Sequence, residues 1–209
     1  MTVVLATVGF TPEKITESLR HEAGISEIIL FAGSNPSAKS DAAVKRIRSV
    51  AKTLAIPCHV DARSDPYDLV GCALAYSAAL ARLRGEAVFN ISGGTGVMQS
   101  AATLAAFLHG VPLAYYNVQE KRYVRMPAVR WTLPRLSKVQ SKILRSLESG
   151  RLQASGWAEQ TGLPANLLAY HAGQLAAKGM VAKDPADGRP LWSLTVIGRL
   201  AISKESSSY

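Results

Sequence analysis

The feature of this sequence that most restricts its fold is an alternation of strand-like and helix-like segments from residue 3 to residue 117. Apolar, β-rich runs take turns with longer segments whose apolar side chains recur at helical spacing. Parallel neighbouring strands need helical crossovers, and these crossovers are right-handed. The pattern therefore predicts an α/β fold with a parallel, doubly wound, Rossmann-like sheet. The predicted strands are Val3–Val8, Glu27–Ala32, Ile56–Val60, Ala87–Ile91 and Pro112–Asn117.

Local capping chemistry predicts where the intervening helices begin. The residues Thr-Pro-Glu at 11–13 form a helix start in which Thr11 supplies the capping hydroxyl. The pair Asp-Pro at 65–66 predicts the start of the third helix, with Asp68 as a capping partner. The second and fourth helices are expected at residues 37–54 and 97–109, the fourth being rich in alanine and closed by a glycine.

Composition indicates a globular chain with its own hydrophobic core. The 209 residues are 48% hydrophobic and 19% charged, the balance of a folded protein of one or two domains. Cys58 and Cys72 lack the spacing of a metal or redox motif and are expected to be buried, reduced thiols. No apolar run reaches the roughly 20 residues that span a bilayer, and the N-terminus lacks the basic start of a signal peptide. We therefore expect a cytoplasmic protein without a membrane partner.

Positive charge is concentrated in the shorter, C-terminal part. Residues 1–125 carry 13 basic and 10 acidic side chains, a net charge of +3, whereas residues 126–209 carry 11 and 5, a net charge of +6. A compact basic module suggests a polyanion partner, most simply nucleic acid, because neutralising phosphates releases counterions. Ordinary surface charge that keeps a protein in solution is the alternative.

Two glycine-containing loops follow predicted strands. One is Val-Gly-Phe-Thr at residues 8–11, and the other is Asn-Ile-Ser-Gly-Gly-Thr-Gly at residues 90–96. In doubly wound sheets, small ligands bind at the carboxyl ends of strands where the strand order reverses. Glycines let a ligand approach the backbone, the following helix N-terminus attracts anions, and Ser92 and Thr95 add hydroxyl donors. We therefore predict a phosphate-binding site; the alternative is that the glycines only shape a tight turn.

Several familiar cofactor and catalytic motifs are missing from the sequence. No lysine follows Gly96, so the second loop is not a Walker A loop, and Gln99 follows where a dinucleotide fingerprint needs a third glycine. The four histidines are widely spaced, which argues against a metal site. A G-x-S-x-G nucleophile elbow is also missing. We expect neither an organic cofactor nor a metal ion, and we assign no catalytic residue.

The last part of the chain has the segment order of a winged helix-turn-helix domain. A basic stretch with two prolines at 121–135, expected to be an edge strand or a linker, precedes a helix at 137–147. A short helix at 155–160 and a glycine turn then lead into a second helix at 164–178. Two strands around a turn and a closing helix complete the pattern. The predicted parts are a ligand-sensing domain at 1–120, a linker at 121–135 and a winged helix-turn-helix domain at 136–209.

In that interpretation the second helix would enter the major groove of DNA. Its side chains would face bases, and cations on the wing would meet phosphates. Residues 164–177 contain no Arg or Lys, however, and winged helices also act as protein-contact or dimerisation modules. That alternative stays open. The candidate DNA-contacting residues are Asn166, Tyr170, His171 and Gln174 on the helix and Lys183 and Arg189 on the wing.

The order of these motifs resembles a known family. A Gly-Phe turn within residues 7–10, an N-x-S-G-G-T motif within residues 90–98 and a C-terminal winged helix are similar to the CRISPR-associated Rossmann fold (CARF) transcription regulators. The resemblance implies a homodimer that binds a cyclic oligoadenylate, cyclic tetra-adenylate in particular, across its two-fold axis. Ser34 and Asn35 are added to the site because they end the second strand. The ligand contacts that the resemblance implies are Gly9, Phe10, Thr11, Ser92, Gly93, Gly94, Thr95 and Met98.

Three functions remain open on this basis. The first is a ligand-responsive regulator of CRISPR-associated genes that binds double-stranded DNA. The second is a ring nuclease that cleaves its cyclic ligand in the same pocket, where Ser92, Thr95 or Lys39 would support the developing charge. The third is a protein-binding adaptor without DNA affinity, which the lack of cations on the second helix would suit.

Phe10 could face a base of the ligand or belong to the core.

Overall fold

The computed structural model describes residues 1–185 and 190–206, with side chains for all of these except residues 204–206. The chain divides into two compact units, Met1–Thr132 and Leu133–Tyr209. Each unit has its own cluster of buried apolar side chains. Within the described ranges, no helix combines the length and the apolar character needed to cross a lipid bilayer.

The first unit is built on one six-stranded sheet. Its strands are β1 (Thr2–Thr7), β2 (Ile25–Phe31), β3 (Cys58–Asp61), β4 (Glu86–Asn90), β5 (Leu113–Asn117) and β6 (Arg122–Met126). They lie in the order β3-β2-β1-β4-β5-β6. The first five are parallel, which confirms the predicted doubly wound α/β sheet. The sixth runs antiparallel to β5 and forms one edge of the sheet.

Four helices accompany this sheet. They are α1 (Glu13–Leu19), α2 (Ala38–Thr53), α3 (Leu69–Arg82) and α4 (Gly96–His109). The hydroxyls of Ser37 and Thr95 cap the N-termini of α2 and α4 by accepting a hydrogen bond from the backbone three residues on. Gly110 ends α4 with a φ of 65°, a left-handed conformation that glycine adopts without steric cost.

Two predicted helix starts are wrong. The N-cap of α1 is Pro12, which makes no side-chain hydrogen bond, and Thr11 is exposed in the loop before it. The third helix begins at Leu69, where the carboxylate of Asp68 accepts a backbone hydrogen bond. The Asp-Pro pair at 65–66 opens a turn before this helix, because a proline restricts the preceding residue to extended conformations.

The central strand β1 is buried along its whole length and packs on both faces. Val4 and Ala6 share a core with side chains of α1 and α2. On the opposite face, the rings of Phe31 and Phe89 pack against Tyr76 of α3, with ring centroids 4.3 and 5.5 Å apart. Strands that are covered on both faces have apolar residues at successive positions, which explains the continuous apolar runs in the sequence.

The edge strand β6 is held by the nearly buried carboxylate of Glu22, which lies just beyond α1. The hydroxyl of Tyr123 and the guanidinium of Arg125 both donate to this carboxylate, Arg125 at 3.0 Å. The ring of His21 stacks on Tyr123, with centroids 5.1 Å apart. Burial raises the pKa of Glu22, and the nearby Arg125 offsets part of that rise. These contacts attach an edge strand that has only one strand neighbour.

The second unit combines short helices with a small antiparallel sheet. Its elements are α5 (Lys138–Ser146), β7 (Leu152–Gln153), α6 (Ala154–Thr161), α7 (Ala165–Ala177), β8 (Val181–Asp184), β9 (Leu191–Leu194) and α8 (Val196–Ser206). The strand order is β7-β9-β8. Gly162, with a φ of 62°, ends α6 and permits the tight turn into α7. The middle of the predicted turn between β8 and β9, residues 186–189, lies outside the described residues.

The core of the second unit forms around Trp157, which is 1% exposed. Its indole N–H donates to the hydroxyl of Ser146 at 2.8 Å, and its ring packs against Trp192 with centroids 5.4 Å apart. Leu144 of α5 and Leu175 of α7 belong to the same cluster. The helices therefore pack through one face each, which leaves the other face of α7 exposed.

Candidate functional site

The strand order of the large sheet reverses at β1 and β4, whose carboxyl ends lie side by side. The loops after these two strands meet through their backbones. A Cβ atom on Gly9 would lie 2.7 Å from the backbone nitrogen of Gly94, and one on Gly93 would lie 2.5 Å from the carbonyl oxygen of Thr7. Both distances are too short for a real Cβ contact, so only glycine allows the loops to approach this closely.

Asn90 and Ser92 hold the loop after β4 in position. The side-chain amide of Asn90 donates to the hydroxyl of Ser18, and its oxygen accepts from the N–H of Ser92 at 2.9 Å. The hydroxyl of Ser92 accepts from the N–H of Tyr116 at 2.8 Å, and Ser92 is 4% exposed. The first half of the N-x-S-G-G-T motif thus makes internal contacts, and its second half reaches the surface.

Beside this contact lies a cleft of about 280 Å³ at the carboxyl ends of the strands. Six of the predicted ligand residues line it, namely Gly9, Phe10, Asn35, Gly94, Thr95 and Met98. The other four lie outside its lining, and these are Thr11, Ser34, Ser92 and Gly93. Phe10 is 68% exposed, so its ring belongs to the cleft and not to the core.

The N-termini of two long helices open on this cleft. Ser37 and Ser40 of the first turn of α2 line one side, and Thr95 and Met98 at the start of α4 line another. Backbone N–H groups in a first helical turn lack partners within the helix, and the helix dipole makes this end positive. None of the described residues that line the cleft is acidic. The arrangement therefore favours an anion such as a phosphate.

Residues of the loop between β3 and α3 also line the cleft, although no motif in the sequence points to them. Pro66 and Tyr67 lie on its wall, and Tyr67 is 75% exposed. The hydroxyl of Thr95 donates to the carbonyl oxygen of Pro66 at 2.6 Å and ties this loop to the start of α4. The one available signal is positional, since this loop too follows the carboxyl end of a parallel strand.

Three side chains could support cleavage of a ligand, namely Ser92, Thr95 and Lys39. The two hydroxyls make hydrogen bonds within the protein, and the lysine lies outside the lining of the cleft. The Thr95 hydroxyl donates to Pro66 and accepts from the N–H of Met98 at 3.1 Å. The Ser92 hydroxyl accepts from the N–H of Tyr116 on β5. Lys39 is exposed on the first turn of α2 and lies outside the lining of the cleft. The hydroxyls of Ser92 and Thr95 thus hold the loop in place through hydrogen bonds within the protein.

A larger and more open depression of about 600 Å³ lies between β3 and α3. Much of its wall consists of alanine side chains from α3. Its Arg63 donates to the carboxylate of Asp61, and these hydrogen bonds hold the pKa of Asp61 below its ordinary value. His59 and Arg82 also line this depression, but it lies at the β3 edge of the sheet, whereas the smaller cleft lies where the strand order reverses, the usual place for a small ligand in such sheets.

The described parts of the chain, residues 1–185 and 190–206, contain no group of three His, Cys, Asp or Glu side chains that could hold a metal ion. Both thiols are free of disulfide bonds, Cys72 being buried and Cys58 half-buried. Burial raises the pKa of each thiol above its ordinary value. Both are therefore protonated and weakly nucleophilic near neutral pH.

The predicted DNA-contacting residues of α7 fall into two groups. Asn166 and Tyr170 are exposed, Tyr170 by 60%. Gln174 is half-buried between helices, where its oxygen accepts from Gln140 of α5 at 3.0 Å and its amide donates to the Tyr170 hydroxyl at 2.8 Å. His171 is half-buried, and its ring lies beside that of Tyr170. Gln174 therefore links α7 to α5 and orients Tyr170.

The predicted wing cation Lys183 is exposed on β8. Its ammonium nitrogen lies 5.8 Å from the centroid of the Trp192 ring, within the range of a cation–π contact. Arg151 forms an exposed ion pair with Asp184 at 3.1 Å beside it. Arg189 lies outside the described residues. Among the described residues at the base of the predicted wing, Lys183 is thus an exposed cation without an acidic ion-pair partner, and its ammonium lies beside the Trp192 ring.

We expect Gly93→Ala to destabilise the first unit, whereas Gly96→Ala leaves its stability unchanged or slightly raised. The Cβ at position 93 would lie 2.5 Å from the Thr7 carbonyl oxygen, but the Cβ at position 96 would meet nothing within 4 Å. Overpacking of this kind costs about 1–3 kcal/mol. Thermal unfolding of the two variants measures the difference. Equal melting temperatures would contradict the backbone-to-backbone packing of the loops.

A doubly wound sheet with an anion-attracting cleft where its strand order reverses defines a Rossmann-like ligand-binding domain. Residues 2–127 match the family model described as the Csa3 CRISPR-associated Rossmann-like domain. This match covers more than half of the chain, which therefore belongs to the Csa3 family. The family relation that the loops at 8–11 and 90–96 suggested is thereby confirmed for the first unit.

Solved structures resemble this chain at low sequence identity. Can2 from Sulfobacillus thermosulfidooxidans, in complex with cyclic tetra-adenylate, is 15% identical with a TM-score of 0.44, and the alignment covers 97% of this chain and 64% of Can2. Protein VC1899 from Vibrio cholerae is 12% identical with a TM-score of 0.48, over 96% of this chain and 64% of that protein. BpsR from Bordetella bronchiseptica, whose DNA binding is regulated by 6-hydroxynicotinic acid, is 19% identical with a TM-score of 0.32, over 35% of this chain and 58% of BpsR.

This chain thus spans less than two thirds of the length of each of these three solved structures. Among curated protein sequences, none matches the chain. The family relation therefore rests on the match over residues 2–127.

Proposed function

We propose that this protein is a cyclic-oligoadenylate-responsive transcription regulator that binds double-stranded DNA and controls CRISPR-associated genes. The observation that carries the proposal is the cleft of a Csa3-family domain on which the Gly94 turn and the N-termini of α2 and α4 converge. Such a cleft suits a ligand with phosphate groups. We place the protein in the cytoplasm, and we propose no cofactor beyond this regulatory ligand.

Cyclic tetra-adenylate is the ligand we propose, and a homodimer is the form that binds it. The cleft has a volume of about 280 Å³. This is slightly below the volume of typical small-molecule sites, about 300–1,000 Å³. One protomer would therefore enclose only part of a ring of four nucleotides. A two-fold dimer presents two copies of the same cleft, which matches the two-fold symmetry of such a ring.

The second unit is the proposed output module, a winged helix-turn-helix that binds DNA. The exposed face of α7 with Asn166 and Tyr170 would enter the major groove, and Lys183 would contact the phosphate backbone. The net charge of +6 over residues 126–209 supports a polyanion partner. The ligand would regulate this binding by stabilising one conformation of the protein over another.

Calorimetric titration of the full-length protein with cyclic tetra-adenylate tests the sensor. We expect sub-micromolar binding with one ring per two chains, and a dimer in sedimentation before and after the titration. Product analysis over time, by chromatography of the bound ring, separates a pure sensor from a ring nuclease. If no cyclic oligoadenylate binds, the proposed sensing function is wrong.

We expect the affinity of the full-length protein for duplex DNA to fall steeply with salt, and Lys183→Ala to reduce the slope of log K against log salt by about 1. The reason is that each phosphate contact releases condensed counterions. Fluorescence anisotropy with a labelled duplex at several salt concentrations measures the slope. Lys52→Ala, which removes an exposed cation from α2, is the matched control and should leave the slope unchanged. A protein without DNA affinity at low salt would be the adaptor instead.

A further inference from the structure

Two exposed aromatic side chains line the candidate ligand cleft. Phe10 follows β1 and is 68% exposed, and Tyr67 precedes α3 and is 75% exposed. Leaving a large ring in water forgoes the favourable free energy of burying it. Aromatic faces that stay open beside a binding cleft are the groups on which nucleobases stack.

The backbone that carries Tyr67 is tied down on three sides. The Thr95 hydroxyl donates to the carbonyl oxygen of Pro66 at 2.6 Å. The Pro66 ring packs against Gly33, where a Cβ would lie 2.9 Å from the proline Cγ. The carboxylate of Asp65 accepts from the N–H of Tyr67 at 2.9 Å. The backbone position of Tyr67 beside the cleft is thus set before any ligand arrives, which lowers the entropy cost of ordering this loop on binding.

We propose that Tyr67, together with Phe10, stacks on adenine bases of the cyclic ligand and supplies the base-dependent part of its affinity; this rests on the proposed function. The Thr95 hydroxyl links the two parts of the site, since Thr95 caps the helix that faces the phosphates and also holds the loop of Tyr67. Phosphates then bind to backbone N–H groups at the start of α4, and bases bind to the aromatic walls.

The test compares Tyr67→Ala, Tyr67→Phe and a control, Tyr115→Ala. Tyr115 is an exposed tyrosine of β5 that lies outside the cleft lining. Base stacking on an aromatic ring contributes about 1–3 kcal/mol, so Tyr67→Ala should weaken cyclic tetra-adenylate binding by roughly 5- to 150-fold. Tyr67→Phe keeps the aromatic face and should bind like the unmodified protein, as should Tyr115→Ala.

Two further measurements separate stacking from a general loss of structure. The salt dependence of ligand affinity should be the same for Tyr67→Ala and the unmodified protein, because no phosphate contact is lost. The preference for cyclic tetra-adenylate over cyclic tetra-uridylate should shrink in Tyr67→Ala, because purines stack more strongly on aromatic rings. A thermal melt of each variant checks that the fold is intact.

The outcomes distinguish this inference from the function on which it rests. If the unmodified protein binds no cyclic oligoadenylate, the proposed function itself fails. If the unmodified protein binds and Tyr67→Ala binds equally well, or if Tyr67→Phe loses as much affinity as Tyr67→Ala, base stacking by Tyr67 is wrong while the sensing function stands. A loss confined to Tyr67→Ala, with an unchanged salt dependence and a reduced adenine preference, supports it.

Discussion

Replacing Asn35 by aspartate is expected to weaken the binding of cyclic tetra-adenylate by roughly ten- to a hundredfold without lowering the stability of the first unit. Asn35 is exposed and lines the cleft two residues before Ser37, the N-cap of α2. The new carboxylate would face the phosphates of the ligand, and two like charges about 4 Å apart repel by about 1–4 kcal/mol. A negative charge near a helix N-terminus is itself slightly stabilising, so the fold is preserved.

Calorimetric titration measures the affinity, and thermal unfolding without ligand measures the stability. Asn35→Ala is the control, because it removes the amide and adds no charge. The affinity of Asn35→Ala for cyclic tetra-adenylate should fall by less than about tenfold, which is the contribution of one neutral hydrogen bond. The deficit of Asn35→Asp should also shrink as salt rises. If Asn35→Asp binds as tightly as Asn35→Ala, the phosphates do not approach this side of the cleft.

Removing the indole of Trp157 is expected to destabilise the second unit strongly, bringing it close to unfolding, and to weaken DNA binding. Trp157 is 1% exposed, donates to Ser146 and packs against Trp192. Truncating a buried tryptophan to alanine costs about 3–5 kcal/mol. That is a large share of the 5–15 kcal/mol that holds a typical domain folded. The first unit has a separate core, so Trp157→Ala should still bind cyclic tetra-adenylate.

Urea unfolding followed by circular dichroism measures the loss of stability, and anisotropy with a labelled duplex measures DNA binding. The matched control is Trp131→Ala, which removes a tryptophan that is 46% exposed and should change stability by less than about 1 kcal/mol. An equal loss of stability in both variants would contradict the central position of Trp157. Loss of ligand binding in Trp157→Ala would show that the two units do not fold independently.

Local patterns in the sequence were sufficient to predict the elements of the large sheet. The runs that end near Val8, Ala32 and Ile91 became β1, β2 and β4, with ends within about two residues of the prediction. Apolar periodicity and capping hydroxyls act over a few residues, so they can be read without knowing the fold. The helix starts predicted at Thr11 and at 65–66 were wrong because several neighbouring residues could cap each helix. Longer-range contacts determine which of them does.

The roles of single site residues could not be predicted in the same way. Ser92 and Thr95 are the two hydroxyl residues of one motif, three positions apart, and look equivalent in the sequence. In the fold, the hydroxyl of Ser92 meets a backbone group 24 residues away, and that of Thr95 meets one 29 residues away. Gln174 faces a glutamine of another helix, 34 residues distant. Such partners depend on packing that no local pattern encodes.

The sequence by itself determined the alternation of strands and helices, the glycines at the two loops and the basic C-terminal part. The alternation follows from the spacing of apolar residues, the loops from the conformational freedom of glycine, and the basic part from the count of charged side chains. All three are properties of neighbouring residues. Only the tertiary structure decided that Gly9 and Gly94 touch, that Tyr67 joins them at one cleft and that Ser92 turns inward. The order of strands in the sheet brings these distant loops together, and strand order is a property of the whole fold.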